Sequence, residues 1–147
     1  MESKRAQKLS KATVATVLAA SGVIVAMPQP SHAYAFEDLN PLADYYEPVL
    51  DLANRKIATG YSDGTFKPNK TLSRSDVVKL LGKYLVAQGY TVPSDYKTNM
   101  RFNDLRSTSQ DELLQYAALV KDNGVFNGSS GNLLPNDPIT RENMAVV

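Results

Sequence analysis

Gly60-Tyr61-Ser62-Asp63-Gly64-Thr65-Phe66-Lys67-Pro68-Asn69, followed by Leu72-Ser73-Arg74, decides how the chain is read, because its parts return in the same order. Gly64 to Asn69 comes back as Gly131-Asn132-Leu133-Leu134-Pro135-Asn136, and Leu72-Ser73-Arg74 as Ile139-Thr140-Arg141, both at a spacing of sixty-seven. Upstream, Ile57-Ala58-Thr59-Gly60 is echoed by Val125-Phe126-Asn127-Gly128, and Phe36-Glu37-Asp38-Leu39 by Phe102-Asn103-Asp104-Leu105. Four blocks in one order, with a drift of a residue or two, mark two copies of one supersecondary unit.

Each copy reads as helix, loop, helix, so the predicted class is all-α. In the first, Leu42, Tyr45, Tyr46, Val49, Leu52, Ala53 and Ile57 recur at the three-and-four spacing of one helical face. Pro48 is tolerable only if this helix starts close to Tyr45, which leaves the proline in the first turn where its missing N–H costs little. The second copy has the cleaner helix, with Leu113, Leu114, Ala117, Ala118 and Val120 to Val125. Asp111-Glu112 favours the positive end of the dipole, and Gly124 is the expected stop. The loops are punctuated by Gly60, Asp63-Gly64 and Pro68-Asn69, then by Gly128, Gly131 and Pro135-Asn136. Tyr61 and Phe66 are expected to point inward. Ser73, with Asp76 three residues on, forms a short capping box for the following helix, whose buried stripe is Val77, Leu80, Leu81, Tyr84 and Leu85. Gly89 to Met100 reads as a linker.

One choice opposes local helix physics. Arg74 and Arg141 both stand at the first position of a helix, where unpaired amides make the end positive and a cation costs roughly 0.3–1 kcal/mol. A capped helix start beside a guanidinium gathers donors suited to a carboxylate or phosphate. The plain alternative is an arginine paired with a local acid such as Asp76 or Glu142.

Around the repeats, the first thirty-five residues have the layout of an export leader. Lys4, Arg5, Lys8 and Lys11 form a basic head, Ala12 to Met27 is a sixteen-residue stretch of mostly small or apolar residues, and Ser31-His32-Ala33 and Ala33-Tyr34-Ala35 both fit a small-x-small cleavage site. Sixteen residues fall short of the roughly 20 needed for a membrane span, so no stable span is expected after cleavage. The chain has 147 residues, 16 Lys+Arg, 15 Asp+Glu, one His and no Cys. Four cations and Glu2 leave with the leader, so 12 cations face 14 anions from Phe36 onward. That balance excludes bulk nucleic acid as the main partner. Losing His32 and having no thiol removes Ser-His, Cys-His and zinc-histidine chemistry. No metal or cofactor is expected, since neither the Asp63 nor the Asp137 loop has the alternating oxygens of a calcium loop.

The Phe-x-Asp-Leu blocks, the Gly60 to Asn69 loop, Leu72-Ser73-Arg74-Ser75-Asp76 and Ile139-Thr140-Arg141-Glu142 resemble the S-layer homology (SLH) motif, whose end is usually written Ile-Thr-Arg-Ala-Glu. The resemblance covers Phe36 to Val147 and divides the chain into a leader at 1–35, repeat one at 36–86, a linker at 87–101 and repeat two at 102–147. It implies helical units packed as a partial pseudo-threefold bundle that anchors non-covalently to the bacterial cell wall, holding secondary cell-wall polysaccharide with pyruvate ketals. Carried onto this chain, the anion-meeting role falls to Arg74 and Arg141, supported by the caps Ser73 and Thr140 and the loop glycines Gly64 and Gly131. Lys67 and Lys70 flank the first loop where the second has Leu134 and Asp137, so the Arg74 site is expected to be the stronger.

Such domains usually hold three units, and here a third copy and part of the second are expected to be missing. An open apolar face then points to a second copy of the chain as partner, giving a homo-oligomer. Two other readings stand beside the anchor. One is an adaptor that keeps the fold without glycan affinity, and the other a wall hydrolase working with two carboxylates.

Overall fold

A computed structural model describes residues 35–145 of the chain. The expected leader, its two cleavage sites and His32 lie outside the described residues, apart from Ala35. Within 35–145 there are four helices, α1 (Tyr46–Asn54), α2 (Arg74–Ala87), α3 (Asp111–Asp122) and α4 (Arg141–Ala145). No strand occurs among the described residues, only isolated bridges at Ser73–Pro138 and Ser129–Asn132, so the all-α expectation is borne out. None of these helices is long and apolar enough to cross a membrane.

α1 begins at Tyr46 and buries Val49, Leu50 and Ala53. Pro48 is its third residue, inside the first turn as its chemistry requires. Leu42 does not join this face. It precedes the helix and is 92% exposed, because its amide and that of Ala43 are tied back to Asn40 in a tight turn. Tyr45 is the N-cap and is also exposed.

α2 opens on a full capping box. The Ser73 hydroxyl accepts from the Asp76 amide at 3.2 Å, and the Asp76 carboxylate accepts from the Ser73 amide at 3.1 Å. α3 carries Asp111 and Glu112 in its first turn and ends at Asp122, with Gly124 in the left-handed region at φ 68°.

The two copies interlock. α2, from the first copy, packs across α3, from the second. Val77, Val78 and Leu85 of α2 therefore share one core with Phe102, Leu105, Leu114, Leu119, Val120, Phe126 and Leu133. Each such large side chain contributes about 1.5–3 kcal/mol when removed from water. Gly82 lets the helices meet, since a Cβ there would collide with Tyr116. A smaller core of Phe36, Leu39, Val49, Leu50 and Ala53, with Tyr46 and Phe66 at its edge, stands under α1.

Backbone hydrogen bonds stitch the same joint. The Arg74 amide donates to the Asp137 carbonyl at 2.8 Å, Ser75 to Pro135 at 3.0 Å, and Ile139 to Leu72 at 3.1 Å. The segment between α2 and α3 is also tied down. Arg101 donates from Nη2 to Asp95 at 2.8 Å and to Asp122 at 2.7 Å, while Tyr96 and Lys97 reach Asp111.

Candidate anion-binding groove between the repeats

Loop geometry comes first. In both copies the aspartate of Phe-x-Asp-Leu straddles two successive amides. Asp38 accepts from Phe66 at 2.8 Å and Lys67 at 2.7 Å, and Asp104 from Leu133 at 2.8 Å and Leu134 at 2.7 Å. The second residue of each pair is left-handed, Lys67 at φ 59° and Leu134 at φ 56°. Non-glycine residues there are held at a cost of order 1–3 kcal/mol, which the paired amide bonds offset. The Phe66 amide, first, then that of Lys67 hold the Asp38 carboxyl below its usual range against some desolvation. The aromatic of each block closes the loop from beneath. A Cβ on Gly128 would come within 2.7 Å of Phe102, and one on Gly60 would collide with Phe36.

Arg74 leaves its own copy and enters the loop of the other. Its side chain runs under the second loop, Nε donating to the Leu133 carbonyl at 2.6 Å and Nη1 to Asn143 Oδ1 at 3.1 Å. Its guanidinium carbon lies 4.9 Å from the centre of the Phe126 ring, a cation–π contact. The residue is only 6% exposed. No carboxylate of the described residues lies within ion-pair distance, so the plain alternative of pairing with Asp76 is excluded there. Asp76 instead serves the cap and Lys79. Nη2 makes no hydrogen bond among the described residues. Because no fully buried side-chain nitrogen or oxygen among them lacks a partner, Nη2 keeps some access to solvent.

Arg74 lines a groove of about 450 Å³ together with Phe126, Asn127, Ser129, Leu134, Asp137, Thr140 and Asn143, among others. Among the described residues it offers one cation, an aromatic face, two short apolar walls and several small polar groups, with Asp137 as the one acid on its lining. A charge buried without a counter-ion is costly, and Arg101, similarly enclosed, shows the usual remedy in its two carboxylates, which raise its pKa further. Arg74 has only neutral partners among the described residues, a carbonyl, an amide and a ring.

The other sequence-predicted residues are distributed differently from the expected cluster. The α2 start does not present open amides beside the arginine. Those of Arg74, Ser75, Asp76 and Val77 donate to Asp137, Pro135, the Ser73 hydroxyl and the Ser73 carbonyl, so the guanidinium alone faces the groove. Ser73 supports by capping and does not line the groove. Thr140 does line it and caps α4, its Oγ1 accepting from the Asn143 amide at 3.1 Å. Gly131, at φ 79°, accepts from Asn103 at 2.9 Å and shapes the loop from outside. Arg141 is exposed at the start of the five-residue α4.

Gly64, Lys67 and Lys70 belong to the first loop, not to the Arg74 groove. Tyr61 is partly exposed there and not turned inward, because Lys67 and Lys70 hold it from outside, 4.3 and 4.8 Å from its ring centre. Lys70 also donates to the Tyr61 hydroxyl at 2.9 Å, which raises its pKa. Lys67 pairs with Asp63 at 2.9 Å. The Thr65 hydroxyl, then Lys67, pull Asp63 down to about 2. A second hollow, of about 220 Å³, includes Tyr61, Leu72, Asp76, Lys79 and Glu112 on its lining. Phe126, Asn143 and Asp104 were not singled out from the sequence as site residues. The repeat register carried a signal for two of them, since Phe126 stands where copy one has Ala58 and Asn143 where it has Asp76.

The fold and this joint define a helical repeat protein with a cationic groove between its units. Comparison with known proteins gives the family: the model of the S-layer homology domain matches residues 35–78 and 101–145. The chain belongs to the S-layer homology family, a cell-surface anchoring module. It is 33% identical over 116 residues to the surface-layer 125 kDa protein of Lysinibacillus sphaericus, a match covering 76% of this chain and 9% of that protein. An amylopullulanase of Thermoanaerobacterium thermosulfurigenes is 30% identical, over 65% of this chain and 5% of the enzyme. An endoglucanase of Bacillus sp. (strain KSM-635) is 27% identical, over 80% and 12%. The matched part of the chain thus spans between 5% and 12% of the length of these relatives. No solved structure matches it.

Proposed function

We propose that the chain is an exported envelope protein that holds secondary cell-wall polysaccharide non-covalently at the bacterial surface, with the carboxylate of a pyruvate ketal taken by Arg74 in the groove between the repeats. The observation that carries this is a nine-tenths buried arginine whose Nη2 has no hydrogen-bond partner and beside which no carboxylate stands within ion-pair distance among the described residues. An anion entering the groove supplies the missing counter-charge through charge-assisted hydrogen bonds. Phe126, Leu134 and Pro138 give a sugar ring apolar surface, and Asn127, Ser129, Thr140 and Asn143 give its hydroxyls partners. Among the described residues Asp137 stands alone as an acid on this lining, so they do not assemble there the two carboxylates that glycoside hydrolysis needs. Binding without cleavage follows. Lys67, Lys70 and Gly64 play a secondary part at the first loop, and Arg141 a weaker one than Arg74.

Co-sedimentation with purified wall sacculi, with and without chemical removal of the pyruvylated polysaccharide, tests this. The wild-type chain is expected to pellet only with the intact wall and to release no soluble sugar. Arg74→Ala, and Arg74→Lys as the variant that retains charge and bulk, are expected to lose about tenfold or more in retention, as for one charge-assisted contact. Arg141→Ala is expected to lose less. Equal losses would remove the preference for Arg74, and retention untouched by either change would leave a fold without glycan affinity. The expected association with a second copy is read separately, by sedimentation velocity at micromolar protein, where a clean monomer removes it.

A further inference from the structure

The Phe-x-Asp-Leu aspartate stands outside the proposed ligand contacts, yet it grips the peptide on which the key arginine rests. The Leu133–Leu134 peptide is planar and trans, so its carbonyl and its N–H point in opposite directions. That N–H donates to Asp104 Oδ2 at 2.7 Å, and the carbonyl of the same peptide accepts from Arg74 Nε at 2.6 Å. The other carboxylate oxygen takes the Leu133 amide at 2.8 Å, so the preceding Asn132–Leu133 peptide is held as well. Leu134 at φ 56° is the left-handed residue that turns this peptide toward Arg74, and a bulky side chain does not hold that backbone unaided.

We propose that Asp104 is a positioning residue for the Arg74 guanidinium, acting through the Leu133–Leu134 peptide: it aims the carbonyl that orients Nε and thereby turns Nη2 to the groove. The negative carboxylate also polarises that peptide, strengthening the carbonyl as an acceptor. The Asp104 carboxylate has no bond to Arg74 and no place on the groove lining. Copy one supplies a built-in control. Asp38 makes the same two bonds to Phe66 and Lys67, but no arginine of the described residues rests on the Phe66 carbonyl.

This role deepens the glycan reading and rests on it only for the binding readout. The full chain, ¹⁵N-labelled, gives an Arg74 Nε–H signal that is assigned by its loss in Arg74→Lys. Asp104→Asn is expected to speed exchange of that proton with water at least about tenfold and to lower retention on sacculi by about tenfold. Asp38→Asn breaks the matching clamp and is expected to lower the melting temperature comparably while leaving both readouts within about twofold of wild type. An unchanged Arg74 signal in Asp104→Asn, or an equal change in Asp38→Asn, overturns the proposal. Should Asp104→Asn not fold, Asp104→Glu is read by the same signal and the same criterion. If the wild-type chain itself fails to pellet with sacculi, the glycan reading falls, and the exchange rate still decides the positioning role.

Discussion

Asn143 sits where the first copy has Asp76, and the difference sets the electrostatics of the groove. An amide oxygen satisfies Arg74 Nη1 at 3.1 Å without cancelling its charge. Asn143→Asp puts a carboxylate at that point. The chain is expected to gain about 1–2 kcal/mol of stability from the closed pair, measured by urea denaturation, while retention on sacculi drops at least about tenfold. A variant that gained stability and kept its retention would show that the guanidinium charge is not what the wall polymer meets. The sequence made Arg74 conspicuous because an arginine at the first position of a helix opposes the dipole. It gave no sign that the partners lie in the other copy, since a repeat register aligns the units without saying whose helix start leans on whose loop.

The helix caps were more legible, because a cap is written within four residues. Ser73 and Asp76 form the reciprocal pair that their spacing predicts, and Ser73→Ala is expected to cost about 1 kcal/mol in thermal or chemical melts. Gly82 shows the opposite case. Within α2 it reads as a weakness, worth up to about 1 kcal/mol in helix propensity, and its reason lies on α3, where Tyr116 occupies the space that a Cβ would fill. Gly82→Ala is therefore expected to destabilise by about 1–3 kcal/mol through forced separation of α2 and α3, despite alanine's better propensity. A stabilised Gly82→Ala would refute that account. Leu42 misled the periodicity for a related reason. Its spacing fits α1, but Asn40 claims the local backbone first.

Across the whole molecule, acid stability follows from carboxylates held below their ordinary value of 3.8. Asp38, Asp63, Asp76, Asp95 and Asp111 are all lowered, Asp95 first by Arg101 and Asp111 first by Lys97, while at Asp76 desolvation pushes upward and is overcome by the Ser73 bonds. The folded state thus binds fewer protons than the unfolded one in acid. The stabilisation is complete above pH ~4 and fades as pH falls through the lowered values, with Asp63 last at about 2. Melting temperatures are expected to be flat from about pH 5 to 9 and to fall steadily below about pH 4; a melt that rose on acidification would contradict it. Arg101→Ala removes the bridge that ties Asp95, within the segment between α2 and α3, to Asp122 on α3. Limited proteolysis is expected to cut that segment first, at a rate raised several-fold over wild type.

One property emerges from the way the Leu72–Ser75 backbone crosses onto Pro135–Ile139 while the Arg74 guanidinium spans the same seam. Pulling the units apart must dismantle the receptor before the chain can extend, so whatever fills that receptor also resists the pull. On the proposed function, an anchor assembled this way stiffens when loaded with wall polymer. Tension transmitted from the cell surface then meets its greatest resistance in molecules already attached.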